Sequence, residues 1–203
     1  MPRTCSTRTL RALAAFGLSP AETQSSYTRH TRPTSRAAAA RALRLLRAAS
    51  PPSILLAGPS GAGKSTTLRL IARALGHRAR RIDPGPLAND PRTAIDLLHG
   101  PIPDALRTLA RAGLSDATLL ATPARRLSDG QRWRLALALG VHRATPRRKT
   151  LIADEFGAGL DLPTALGVAT AAARAAPIVG ATSRDELIRA ARALPGWTVI
   201  DLD

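Results

Sequence analysis

The sequence predicts an α/β protein with a mostly parallel β-sheet and helices on both faces. Three observations predict it. Short, uninterrupted apolar runs alternate along the chain with stretches of helical period, and strands that are apolar throughout belong to sheets buried on both faces. The first such run leads straight into a glycine loop and then a helix, a strand–turn–helix unit of the βαβ type. A chain of 203 residues is long enough to build one core of this kind without disulfides or metals as staples.

Taken in order, residues 1–35 are rich in Ser, Thr and Arg and show no sustained apolar period. They read as a basic, flexible N-terminal arm ahead of a domain spanning 36–203. Residues 36–47 mix Ala, Leu and Arg at helical spacing, and Pro51-Pro52 ends that pattern. Residues 54–57 are a buried strand and 64–75 a helix; 80–83 are a weaker strand. A helical insertion covers about 90–140, with helices over 104–112 and 129–140. Then follow a strand at 151–153, a helix at 164–175, a strand at 177–181, a helix at 184–194 and a last strand at 197–202.

Composition removes several classes. One cysteine, Cys5, permits no internal disulfide framework and no cysteine zinc site. No apolar run approaches the roughly 20 residues of a membrane-spanning helix, and the expectation is a soluble, cytoplasmic protein. Thirty basic residues against fourteen acidic ones give a net charge of +16. Twenty-eight of the thirty are arginines, and only Lys64 and Lys149 are lysines. Residues 1–50 carry nine arginines and the single acid Glu22, half of the net charge. That arm has the composition of a contact for nucleic acid or another polyanion, and of a transit peptide as well.

Gly58-Pro59-Ser60-Gly61-Ala62-Gly63-Lys64-Ser65-Thr66 matches the phosphate-loop (Walker A) pattern, between a strand and a helix as that pattern requires. Glycines let consecutive N–H groups turn inward around phosphate oxygens, and the helix N-terminus adds partial positive charge. Lys64 can reach the β- and γ-phosphates, and the Ser65 hydroxyl can ligate Mg²⁺. The chain therefore reads as a binder of a nucleoside triphosphate. A second metal ligand belongs at the end of a buried strand, where open α/β sheets bind ligands. Leu151-Ile152-Ala153-Asp154-Glu155 supplies it: Asp154 for Mg²⁺, and Glu155 as a general base for the attacking water.

Leu127-Ser128-Asp129-Gly130-Gln131-Arg132 closely resembles the LSGGQ signature of ABC-type (ATP-binding cassette) ATPases, with Asp129 in place of the first glycine. Asp154 follows Ser128 by 26 residues, and Gly159-Leu160-Asp161 resembles the family's D-loop. The resemblance covers 53–187 and implies a P-loop NTPase fold in which a short helical subdomain carries the signature. It implies ATP and Mg²⁺ as cofactors, ATP hydrolysis, and a head-to-tail dimer formed on ATP, either a homodimer or a heterodimer with another cassette. In that dimer Ser128, Gly130 and Gln131 would meet the γ-phosphate held by the other subunit, and Asp161 would join the two sites. A membrane partner, as in a transporter, is compatible with the resemblance, though nothing in the sequence indicates one.

Four positions depart from the family pattern. Ser183 stands where the switch histidine belongs; it can donate to the γ-phosphate but carries no charge, so slow hydrolysis is expected. No glutamine lies between Lys64 and the signature, which leaves Asn89 as the nearest stand-in for the Q-loop. Only 63 residues separate Lys64 from Ser128, so the helical subdomain is short. A helix at 36–47 replaces the strands that carry an adenine-stacking aromatic, leaving Tyr27 or His30 for that role. These departures also keep open a nucleotide-dependent binding module that hydrolyses slowly or not at all. His77, His99 and His142 have no ligand spacing, and Trp133 reads as packing.

Overall fold

The computed structural model describes residues 33–145 and 149–202. Residues 1–32, with Tyr27 and His30, lie outside the described residues, as do Arg147 and Arg148. Five strands, β1 (Ser53–Ala57), β2 (Ala79–Arg81), β3 (Thr150–Ala153), β4 (Ile178–Thr182) and β5 (Trp197–Asp201), form one sheet in the order β2-β3-β4-β1-β5. Every pairing between them is parallel. The helices are α1 (Pro33–Leu45), α2 (Lys64–Leu75), α3 (Ile102–Arg111), α4 (Ala117–Leu120), α5 (Asp129–Ala144), α6 (Leu162–Ala173) and α7 (Asp185–Ala193).

Apolar runs become central strands because both faces are covered. In β1, Ile54 and Leu56 join Ile152, Val179 and Ala181 in a core with α1 and α2. Leu55 joins Leu151, Ala153 and Ile178 in a second core on the opposite face, shared with α3, α5, α6 and α7. β1, β3 and β4 are buried at every position, whereas β2 and β5 are only partly so. These two edges carry charge: Arg80 and Arg81 on β2, and Asp201 on β5, which accepts a 2.7 Å hydrogen bond from Arg192. Charged edges resist pairing with foreign strands. At its start β1 is tied to β4 by the buried Ser53, whose Oγ accepts a hydrogen bond from the Ile178 N–H at 3.1 Å.

The helical insertion does not stand apart. Leu97, Leu98, Leu109, Leu114 and Leu127 belong to the same continuous core as Leu55 and Leu151. Trp133 packs as expected, buried at 6% exposure with its ring edge-on to Phe156.

Most boundaries differ from the sequence expectation by one to three residues, and the short helix α4 was not expected; two of the differences have a clear tertiary reason. Helix α1 starts at Pro33 rather than Arg36, which brings the fully buried Ser35 against the glycine loop. Helix α5 continues past Gly140 to Ala144. Gly140 was expected as a terminus, but here it serves close packing: a Cβ on it would stand 2.3 Å from Ile82 Cδ1.

Helix propensity favours Gly140→Ala by about 1 kcal/mol, while overpacking a filled core costs about 1–3 kcal/mol. The clash should win, leaving a net destabilisation of roughly 1 kcal/mol in chemical denaturation. In an Ile82→Val background, which lacks the clashing methyl, the same change should become neutral or stabilising.

Candidate functional site

Parallel strands deliver their C-terminal ends to one edge of the sheet, and the site is built there. The loop from Gly58 to Gly63 leaves β1, and α2 begins at Lys64. Two glycines are required by geometry. At Gly58 (φ 150°) a Cβ would sit 2.3 Å from the Leu202 carbonyl oxygen, beyond the end of β5. Gly63 caps α2 with φ 93°, and a Cβ there would lie 2.4 Å from Ser35 Oγ. The Gly63 carbonyl accepts hydrogen bonds from Thr67 N (2.8 Å), Thr67 Oγ1 (3.0 Å) and Ser35 Oγ (3.4 Å). Lys64 folds back over its loop, its Nζ donating to the Gly58 and Pro59 carbonyls at 2.7 Å each. Ala62 is buried in the core and anchors the loop from beneath.

Because β4 lies between β1 and β3, the Thr182–Arg184 segment falls between the loop and the acidic pair. The result is a cavity of about 420 Å³ lined by Ser60, Gly61, Gly63, Lys64, Ser65, Thr66, Asp154, Glu155, Ser183 and Arg184, among others. Ser65 and Asp154 therefore share one wall system, and their hydroxyl and carboxylate are the hard oxygen donors that Mg²⁺ accepts. Among the described residues no three or more His, Cys, Asp or Glu converge as a metal cage.

Glu155 is, among the described residues, the non-glycine with a left-handed backbone, at φ 49°. Such conformations persist where the surroundings over-determine them, and here two anchors do so. The next residue, Phe156, is buried between Trp133 (centroids 5.3 Å apart) and Trp197 (5.6 Å), and its N–H donates to the Ala181 carbonyl at 2.7 Å. Arg184, just past Ser183, donates to the carbonyls of Gly157 (2.8 Å) and Leu160 (2.5 Å) and pairs with Glu186. No motif or periodicity in the sequence gives Arg184 a role. Its only signal was adjacency to Ser183, and nothing in sequence linked Ser35 to Gly63 across 28 positions.

Ser128, Gly130, Gln131 and Asp161 do not line this cavity. Ser128 and Gln131 form a reciprocal capping box at the start of α5, with Ser128 N donating to Gln131 Oε1 at 2.9 Å and Gln131 N to Ser128 Oγ at 3.3 Å. Asp129 projects into solvent and pairs with Arg132. Gly130 abuts the turn beyond Glu155: a Cβ there would meet the Gly159 carbonyl oxygen at 2.9 Å. Asp161 caps α6 by accepting from Thr164 N (2.9 Å) and Thr164 Oγ1 (2.8 Å). These hydrogen bonds, with Arg134 nearby, hold its carboxyl below the usual carboxylate range. Asn89 ends a 3₁₀ turn, Gly85–Asn89, away from the cavity.

No family model and no curated protein matches the chain. Solved structures do. The ADP conformation of MJ1267, an ATP-binding cassette of an ABC transporter, aligns with a TM-score of 0.50 at 19% identity over 68% of this chain and 73% of that one. A bacterial Atm1-family ABC exporter with ATP bound aligns with a TM-score of 0.57 at 19% identity, over 75% of this chain and 32% of the exporter chain. The fold is thus that of ABC-type ATP-binding cassettes, a P-loop NTPase fold. Among the described residues no helix is long and apolar enough to cross a membrane.

Replacing Arg184 with Gln should cost about 1–2 kcal/mol and speed amide hydrogen exchange at Ala158 and Leu160, leaving β1 amides protected. The depressed Asp161 pKa means that its cap stabilises the fold above the usual carboxylate pKa and is lost as pH falls through the lower folded value. Asp161→Asn keeps a capping oxygen, so the acid limb of its stability curve, below about pH 4, should be flatter than that of wild type.

Proposed function

We propose that the chain binds Mg-ATP in this cavity and hydrolyses it, dimerising head to tail in the process. One observation carries the reading. Lys64 and Ser65 after β1, Ser183 after β4, and Asp154 and Glu155 after β3 meet in a single cavity, although they are spread over 120 positions of sequence. Loop N–H groups and the start of α2 would cradle the phosphates, with Lys64 exchanging its two carbonyl partners for β- and γ-phosphate oxygens. Ser65 and Asp154 would hold Mg²⁺, which when bound neutralises phosphate charge. Glu155, whose turn Phe156 and Arg184 hold at the cavity wall, would accept the proton of the attacking water. Ser183 would donate its hydroxyl to the γ-phosphate.

The position of the signature residues supports the dimer. Ser128 and Gly130 lie at the start of α5 and outside their own cavity, where they would serve a second subunit's nucleotide. Both solved structures of this fold cited above come from transporters, and service as a transporter's nucleotide-binding subunit is a form of the same reading. The neutral Ser183 favours a second one, a nucleotide-dependent binding module with slow turnover.

Lys64→Ala should abolish ATP binding measured by calorimetry. Glu155→Gln should retain binding, lose about a hundredfold or more in phosphate release, and accumulate as an ATP-bound dimer in light scattering. Wild-type turnover in Glu155→Gln removes the general-base role, and a monomer that persists in saturating ATP removes the dimer. Wild-type release no faster than that of Lys64→Ala leaves the binding module.

A further inference from the structure

A second cavity, of about 210 Å³, opens between the edge strand β2, the turn that follows it and the last turns of α5. Arg80, Arg81, Arg92 and Arg143 line it, with Asp83 and Asp90. Among the described residues only Arg92 of these four arginines is ion-paired, to Asp90 at 2.6 Å. That pairing, with the Arg92 N–H, holds the Asp90 carboxyl down to about 2. The Arg80 Nε–H is sealed within the protein without a hydrogen-bond partner, so a ligand in the cavity would meet Arg80 through its terminal nitrogens. Desolvation, then repulsion from Arg80 and Arg92, pushes the Arg143 guanidinium below its ordinary pKa.

Like charges facing one another around a concave space are unfavourable unless an anion joins them. Successive side chains of a strand point to opposite faces, and Arg81 also lines the cavity beside Ser65, Arg69 and Asp154; Arg80, Arg92 and Arg143 are the guanidiniums that act on one another here. With Arg92 held by Asp90, Arg80 and Arg143 supply the charge that a phosphate would meet. Guanidinium forks match phosphate oxygens in pairs. The volume falls below the roughly 300 Å³ that houses drug-sized ligands, so a phosphate group fits the space and a whole nucleotide does not. We propose that this cavity is a phosphate-binding site, separate from the glycine loop and built by Arg80, Arg92 and Arg143. The phosphate can be free inorganic phosphate or the terminal group of a larger phosphorylated ligand. The proposal does not rest on ATP turnover.

The test is calorimetric titration of inorganic phosphate into full-length Lys64→Ala protein, in which the loop's own phosphate contact is weakened. Saturable binding at roughly millimolar phosphate is expected. Arg80→Gln and Arg143→Gln, each placed in that background, should weaken it at least about tenfold. Should Arg80→Gln fail to fold, Arg143→Gln on an exposed helix end decides the matter. A pyrophosphate arm that binds more tightly than phosphate and is lost in the same variants would identify a phosphorylated ligand as the source. Binding that does not saturate, or that persists unchanged in the arginine variants, overturns the site. So does a poly-glutamate peptide that outcompetes phosphate at equal charge, since the occupant would then be an acidic protein segment.

Discussion

The whole arrangement depends on all five strands running in one direction. A parallel strand cannot be joined to its neighbour by a hairpin, so each connection crosses a face of the sheet and brings cover with it. α1 and α2 cover one face, and the remaining helices cover the other. The same constraint gathers every strand's C-terminal end at one edge. There the loop after β1, the Asp154–Glu155 pair after β3 and Ser183 after β4 become neighbours. The strand order does the rest, because β4 lies between the other two.

Within that frame, the segment after β3 joins the cavity to the start of α5. Phe156 sinks between two tryptophans and fixes the backbone that holds Glu155 in a left-handed conformation. Arg184 grips the next four residues through two carbonyls, and the turn they form touches Gly130. Ser183 and Gly130 are thus joined through Arg184, two hydrogen-bonded carbonyls and one close backbone approach. Capping by Ser128 and Gln131 makes the far end of that connection a rigid helix start.

The chain's arginine bias has two separate consequences. At the glycine loop a compact, flexible ammonium stands rather than a planar fork: Lys64, one of two lysines in the whole sequence, donates to the Gly58 and Pro59 carbonyls. Elsewhere the forks serve as structural donors, as Arg184 does to backbone carbonyls and Arg134 does to Gly113. Around β2 several of them crowd one cavity with too few carboxylates to satisfy them. Net charge alone would never have located that cavity.

Sequence by itself determined the strand order along the chain, every helix but the short α4, the parallel sheet, and the residues of the glycine loop and the acidic strand. These are local matters: apolar runs, glycine conformations and strand-end carboxylates are all written in consecutive residues. Helix Lys64–Leu75 has the bounds its pattern predicted, and the central strands differ by a residue at their ends. Only tertiary structure decided that Gly140 serves packing and ends no helix, that Ser35 touches Gly63, that Arg184 holds the Glu155 turn, and that four arginines share a cavity. Each of these joins residues that are distant in sequence or facing across packed elements. No periodicity or motif encodes such a contact; it exists only once the sheet has fixed where each element lies.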